Sequence, residues 1–344
     1  MKRLTKLLII LDLFVISFLI VIYAPQFEKV QKKIVNNIKE NKKLSYLSYT
    51  LYNQDIIDSL IDEEEIIETR DYSEYYTTVK NNNKMTYDNI YDQLILTKDP
   101  GNDDYKVIKT NIGKNQAYIV AIYDPSKVHI LTSKKFASSD HYSGLETIKQ
   151  MTKRLGASVG INGGGFKQDA RTMSIDTPTG YVIKDGKIVW NRTGGGKGRI
   201  IGIDNDNRLR LINATGKEAL EMGIRDALEF GPFLIVDGVT QKLPIMAGGY
   251  MRSARSVIAQ RRDGIILFLV TEVKNGYTNG TTLQEIVDLL EKYDVYNAAN
   301  LDGGASSQLV VDGKVLNRPL NIYNRVINGG NGRSLVTGWG LINK

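Results

Sequence analysis

Asn300-Leu301-Asp302-Gly303-Gly304-Ala305-Ser306-Ser307 gathers a carboxylate, two glycines and two hydroxyls into one short stretch. An amphipathic run precedes it from Thr282 to Tyr293, with Leu283, Ile286, Val287, Leu289 and Leu290 at helical spacing. After it, Gln308-Leu309-Val310-Val311 is a short apolar run ending in the turn pair Asp312-Gly313. The polar cluster therefore falls at a junction between regular elements. Glycine there lets backbone approach a ligand closely or take positive φ, which suits Asp302 to chemistry. The plainer alternative is an Asx-turn in which Asp302 bonds its own backbone amides.

Outward from that stretch, the pattern from Tyr105 to the C-terminus combines short strands with few helices. Ala117–Tyr123 and Val128–Leu131 read as strands joined by the turn Asp124-Pro125-Ser126, and Gly144–Leu155 reads as a helix. Three Asp-Gly pairs flanked by apolar residues predict tight hairpins: Asp185-Gly186, Asp237-Gly238 and Asp312-Gly313. Ser256–Gln260 and Ile265–Val270 read as central strands around Asp263-Gly264, and Ser334–Ile342 as the closing strand. The expected fold class is α+β, a mixed β-sheet domain with hairpins and a few packed helices.

Upstream, the material changes twice. Lys2, Arg3 and Lys6 precede Leu7–Ala24, an apolar run long enough to cross a bilayer as a helix. Basic residues before the run place the N-terminus inside and the remainder outside. A cleaved signal peptide is the competing reading, and Tyr23-Ala24-Pro25 is a poor cleavage site. Residues 25–104 are rich in Lys, Glu, Asn and Tyr, with helical spacing at Val30, Ile34 and Ile38 and again from Ile56 to Ile67. The expected organisation is an anchor over 1–24, a helical stalk over 25–104 and a globular domain over 105–344.

Composition excludes several chemistries. With no cysteine, there are no disulfides, thiolate nucleophiles or Cys-ligated metals, and two histidines, His129 and His141, cannot make a three-histidine site. A net charge of +7 suits an anionic partner. Nucleic acid is the weakest such partner, because no recognisable nucleic-acid module is present. An anionic cell-surface glycan or sugar-phosphate polymer, with the membrane reached through the N-terminal helix, fits better. No cofactor is called for, a divalent cation is left open, and oligomeric state is not legible.

Other motifs are weaker. Asn162-Gly163-Gly164-Gly165-Phe166 follows an apolar strand and reads equally as a ligand-facing amide with a stacking wall or as a tight strand exit. Gly194-Gly195-Gly196-Lys197-Gly198 lacks the Ser/Thr and following helix of a phosphate loop. Asp204-Asn205-Asp206-Asn207 lacks the later glycine and Glu of a calcium loop. Arg255, before a strand, and Arg318, before Pro319, are candidate anion clamps. Glu272 ends an apolar strand and is expected at the rim of a pocket, whereas His129 reads as structural.

Taken together, these residues resemble the phosphodiester glycosidase family. Its pattern of an Arg-led strand, an Asp-Gly hairpin, an apolar strand, a helix and Asn-Leu-Asp-Gly-Gly-x-Ser is matched by Arg255–Ala259, Asp263-Gly264, Ile265–Val270, Thr282–Tyr293 and Asn300–Ser306. Asn162–Phe166 and Phe230-Gly231-Pro232-Phe233 match two further elements. Ala259, Gly165 and Thr271-Glu272 depart from it, which bears on the sugar accepted. The resemblance implies hydrolysis of a sugar-1-phosphodiester, with Asp302 as base or nucleophile. It also implies that Arg255 holds the phosphate, helped by Ser306, Ser307 and the Gly303 and Gly304 amides. Asn162 would orient a sugar hydroxyl, with Gly164 and Phe166 beside it and Glu272 and Arg318 in lesser roles. The alternative is a non-catalytic glycan-binding or polysaccharide-assembly module on the same fold.

Overall fold

Asp-Gly hairpins shape the molecule. Asp185, Asp237 and Asp312 take φ of 48°, 50° and 47°, and Gly186, Gly238 and Gly313 follow at 70°, 78° and 72°. Two successive positive-φ residues give the turn twist that matches paired strands. These turns join Val182–Lys184 to Lys187–Trp190, Phe233–Val236 to Val239–Thr240, and Leu309–Val311 to Lys314–Val315. At Asp263-Gly264 only the glycine is left-handed, with φ 89°.

The computed structural model describes residues 66–70 and 87–343, except 135, 137–143, 169–174, 193, 244–251, 274–278 and 322, together with 17, 30 and 31. The expected anchor over 7–24, the stalk helices and His141 lie outside the described residues. Among the described residues, no helix is long and apolar enough to cross a membrane.

Among the described residues, three larger sheets form the body. The seven-stranded one runs in the order Tyr105–Ile112, Asn115–Ile122, Ile266–Thr271, Ser256–Arg261, Val295–Leu301, Phe233–Val236, Val239–Thr240. A five-stranded sheet runs Lys314–Val315, Leu309–Val311, Ala157–Asn162, Thr337–Ile342, Val128–Thr132. The other five-stranded sheet runs Leu209–Ala214, Gly198–Asp204, Ile224–Glu229, Val182–Lys184, Lys187–Trp190. Each ladder among the described residues is antiparallel, including the small pair Phe166–Gln168 and Ile175–Pro178. Short hairpins account for the ladders between consecutive strands, such as Tyr105–Ile112 with Asn115–Ile122 and Ser256–Arg261 with Ile266–Thr271, since parallel neighbours need long crossovers. This specifies the sheet type that sequence left as mixed.

Helices close the core. Leu283–Lys292 starts at Thr282, whose side chain accepts the Glu285 amide while Glu285 reaches back to the Thr282 amide. It buries Leu283, Ile286, Val287, Leu289 and Leu290 in the same core as Ile119, Val257, Leu267 and Leu269 of the seven-stranded sheet. Each such side chain contributes roughly 1.5–3 kcal/mol on burial. Ile148–Leu155 begins later than its sequence pattern suggests, because Thr147 and Gln150 form the capping box. It lies close on the second sheet: a Cβ at Gly160 would meet the Thr152 side chain at 2.4 Å and that of Ile148 at 3.0 Å.

The domain begins before residue 105. Thr69 donates its amide to the Leu211 carbonyl, and helix Ile90–Leu96 sends Ile95, fully buried, into the core. The polar composition around Tyr91, Ile95 and Leu96 hides these contacts from a composition-based boundary.

Candidate active site

Strand Val295–Leu301 belongs to the seven-stranded sheet and Leu309–Val311 to the second sheet, so the chain changes sheets across Asp302–Gln308. A 3-10 turn, Gly304–Ser306, makes the crossing. Gly304 takes φ 56°, and a Cβ at Gly303 would meet the Ala254 carbonyl oxygen at 2.8 Å. Glycine at 303 is thus required by close approach and at 304 by handedness.

Asp302 is set deep among protein atoms, yet 23% of its side-chain surface stays open. Burial raises its carboxyl above the ordinary 3.8, against the opposing pull of the Ser306 hydroxyl, the Arg333 guanidinium and the Gly303 amide. Arg333 Nη2 lies 3.7 Å from Asp302 Oδ2. Arg333 Nε also donates to Ser306 Oγ at 3.1 Å, and the guanidinium lies over the Phe166 ring, 4.7 Å from its centre. A partly open acid, a hydroxyl and a planar cation stacked on an aromatic ring therefore share one locus. The Asx-turn alternative is half right, since the Gly303 amide does serve the Asp302 side chain.

Several sequence-assigned ligand contacts are occupied by the fold itself. Asn162 is fully buried: its Nδ2 donates to the Asp302 carbonyl at 2.6 Å, and its Oδ1 accepts from Ser256 Oγ at 2.7 Å and the Gln308 amide at 3.1 Å. It holds the crossing rather than a sugar. Gly164 packs on Glu229, whose carbonyl oxygen would be 2.7 Å from an added Cβ. The Gly304 amide donates to the Ala254 carbonyl at 2.8 Å, so it is not presented to a phosphate. Arg255 is 7% exposed and its Nε donates to the Thr281 carbonyl at 3.3 Å. The guanidinium paired with Asp302 is that of Arg333.

Ser306 serves the acid, whereas Ser307 lines a neighbouring recess. The Ser307 hydroxyl is buried without a hydrogen-bond partner among the described residues and lines a recess with Ala254, Val273, Gly304, Arg318 and Leu320. Exposed Arg318 reaches that recess, and its amide donates to Glu272 Oε1 at 2.8 Å. Glu272 thus braces the loop that carries Arg318.

Sequence reasoning missed Arg333. The available signal was a cation after the glycine run Gly329-Gly330-Asn331-Gly332, entering the closing strand. Its value appears only from the register: Thr337–Ile342 pairs with Ala157–Asn162, which brings Gly338 opposite Asn162.

The structure also tests the open cation question. Among the described residues, His129, Asp185 and Asp226 bring three donor atoms within 4.8 Å of one another. Asp226 already pairs with His129 at 2.9 Å and with the Arg225 guanidinium at 2.5 Å. Arg225 supplies a positive charge there, and its Nη1 also lies 3.2 Å from His129 Nδ1. The carboxylate of Asp204, in the calcium-like run, is likewise taken by Arg208.

With the geometry in place, comparison settles the family. A model of the phosphodiester glycosidase family matches residues 155–341. The chain belongs to the phosphodiester glycosidase family. It is 25% identical over 213 residues to the SPbeta prophage-derived uncharacterized protein YomE of Bacillus subtilis strain 168, covering 60% of this chain and 32% of that protein. It is 25% identical over 248 residues to mouse N-acetylglucosamine-1-phosphodiester alpha-N-acetylglucosaminidase, covering 64% of this chain and 45% of the enzyme. The chain therefore spans less than half of either relative. The zebrafish catalytic domain of the latter enzyme superposes with a TM-score of 0.56 at 21% identity, over 70% of this chain and 82% of that one, a likeness of fold. Phosphodiester glycosidases are hydrolases, and the Asp302 crossing lies inside the matched region.

Proposed function

We propose that this chain is a hydrolase that cleaves the glycosidic bond of a sugar-1-phosphodiester within an anionic cell-surface polymer such as a teichoic acid, capsule or exopolysaccharide. The observation that carries the reading is the pairing of a half-buried Asp302 with Arg333 at 3.7 Å. Family membership supports the reaction class.

A phosphomonoester leaves easily, because its second pKa is near ~6 and little protonation is needed. Catalysis then rests on charge placement around an oxocarbenium-like carbon. In the proposed step Asp302 takes a proton from water, whose oxygen bonds to the anomeric carbon. The bond between that carbon and the phosphate oxygen breaks, and its electron pair leaves with the phosphomonoester. Arg333 faces the phosphate, in the part the sequence assigned to Arg255. Its fork suits two phosphate oxygens, and stacking on Phe166 keeps the plane oriented.

The chain is further proposed to act outside the cell, held to the membrane by residues 7–24, with its positive charge gathering the polymer. The test is to incubate the protein with purified wall polymers and to assay free reducing sugar alongside new phosphomonoester ends. Matched release of both supports the hydrolase. Polymer binding without release supports a glycan-binding module instead.

A further inference from the structure

Behind the acid and the cation lies a pair of fully buried amides, Asn162 and Gln308. Asn162 Nδ2 donates to the Asp302 carbonyl at 2.6 Å, and its Oδ1 receives the main-chain N–H of Gln308 at 3.1 Å. Gln308 Nε2 then donates to the Arg333 carbonyl at 2.8 Å. Its Oε1 receives the amide of Ile148, the first residue of helix Ile148–Leu155, at 3.2 Å. The main chains of both reacting groups thus hang from one path, in which the Gln308 side chain links the hydrogen bonds at its two ends. Gly332 completes it: with φ 76°, it lies so close to Gln308 that a Cβ would be 2.3 Å from Gln308 Cδ. A side chain at 332 would have to displace Gln308 and take a strained positive φ.

We propose that Asn162 and Gln308 act as one positioning unit that sets the separation between the Asp302 carboxylate and the Arg333 guanidinium. The proposal rests on the reading of Asp302 and Arg333 as the reacting pair. The path starts from strand Ala157–Asn162 and is tied to a helix N-terminus, both rigid elements, so the spacing is imposed by the fold and not by the two side chains alone. Buried amides of this kind are costly to leave unpaired, which keeps the path closed. Among the described residues, the charged group paired with Asp302 is Arg333, and its neutral donors are Ser306 and the Gly303 amide.

The experiment uses the full chain and compares wild type with Gln308→Met, which keeps length and apolar volume but removes both amide contacts. Two readouts are taken: kcat and KM on a wall polymer with sugar-1-phosphodiester links, and the titration of Asp302 followed by carboxyl carbon NMR, assigned by its loss in Asp302→Asn. The expected result is a kcat on the order of 100-fold lower, the cost of about 1 Å of misplacement, with KM little changed. The Asp302 midpoint should also move down toward the ordinary carboxylate value as water enters. A folded variant with wild-type kcat and an unmoved midpoint overturns the proposal. If Gln308→Met does not fold, Ser256→Ala removes only the hydroxyl bond to Asn162, and an unmoved midpoint there overturns it equally. Should wild type release no product from any polymer, the hydrolase reading fails while the titration still decides whether the amide pair positions Asp302.

Discussion

Asp302 has two opposed duties. Its raised pKa means that ionisation is easier in the unfolded chain than in the folded one. The sign follows from linkage: stability tied to this group is fully present below its ordinary 3.8 and is lost as pH rises through the higher folded value. Asp302→Asn should therefore raise the melting temperature at neutral pH, as thermal unfolding will show, while sugar release falls to background. Undiminished turnover in that folded variant removes Asp302 from the chemistry. Arg333→Lys keeps the charge but loses the fork and the stacking on Phe166. We expect kcat/KM to fall on the order of 100-fold, with little change in thermal stability, measured on the same polymer.

At the scale of elements, helix Leu283–Lys292 matched its sequence pattern because caps and apolar spacing agree. Burial alone would raise Glu285, but the Arg252 guanidinium and the Thr282 amide hold it below its usual value. This contribution is present above the ordinary carboxylate value and is lost as pH falls through the lowered one. Thr282→Ala should cost about 1 kcal/mol by denaturant unfolding. Gly160→Ala, which drives a methyl into Thr152 and Ile148, should cost about 1–3 kcal/mol by the same measurement. Hairpins, strands and the Asp302 crossing were legible because Asp-Gly turns and apolar runs are local signals. The partners of Asn162 were not. An Asn beside three glycines looks ligand-facing until Ser256, Asp302 and Gln308, all remote in sequence, take up its side chain. Arg333 was hidden for the same reason, lying 31 positions from Asp302 with no shared local pattern. Arg255 drew attention through its family motif, yet its place beside Thr271 and Thr281 is set by tertiary contacts.

For the whole molecule, a charge of +7 should govern encounter with a polyanion more than the chemical step. Raising ionic strength from low to well above physiological should increase KM for the polymer while leaving kcat nearly unchanged, since exposed charges are screened beyond about 8 Å at 0.15 M. Steady-state kinetics across a salt series will check this, and a salt-insensitive KM would argue against charge-driven capture.

The acid lies where the polypeptide leaves one sheet and enters another. Any slippage of those two layers past each other would pull the Asp302 backbone one way and the Arg333 backbone the other. Heat, denaturant or a poorly packed substitution far from the cleft should then silence turnover before the chain unfolds, so that inactivation reports the loosening of a joint and not the loss of the body it joins.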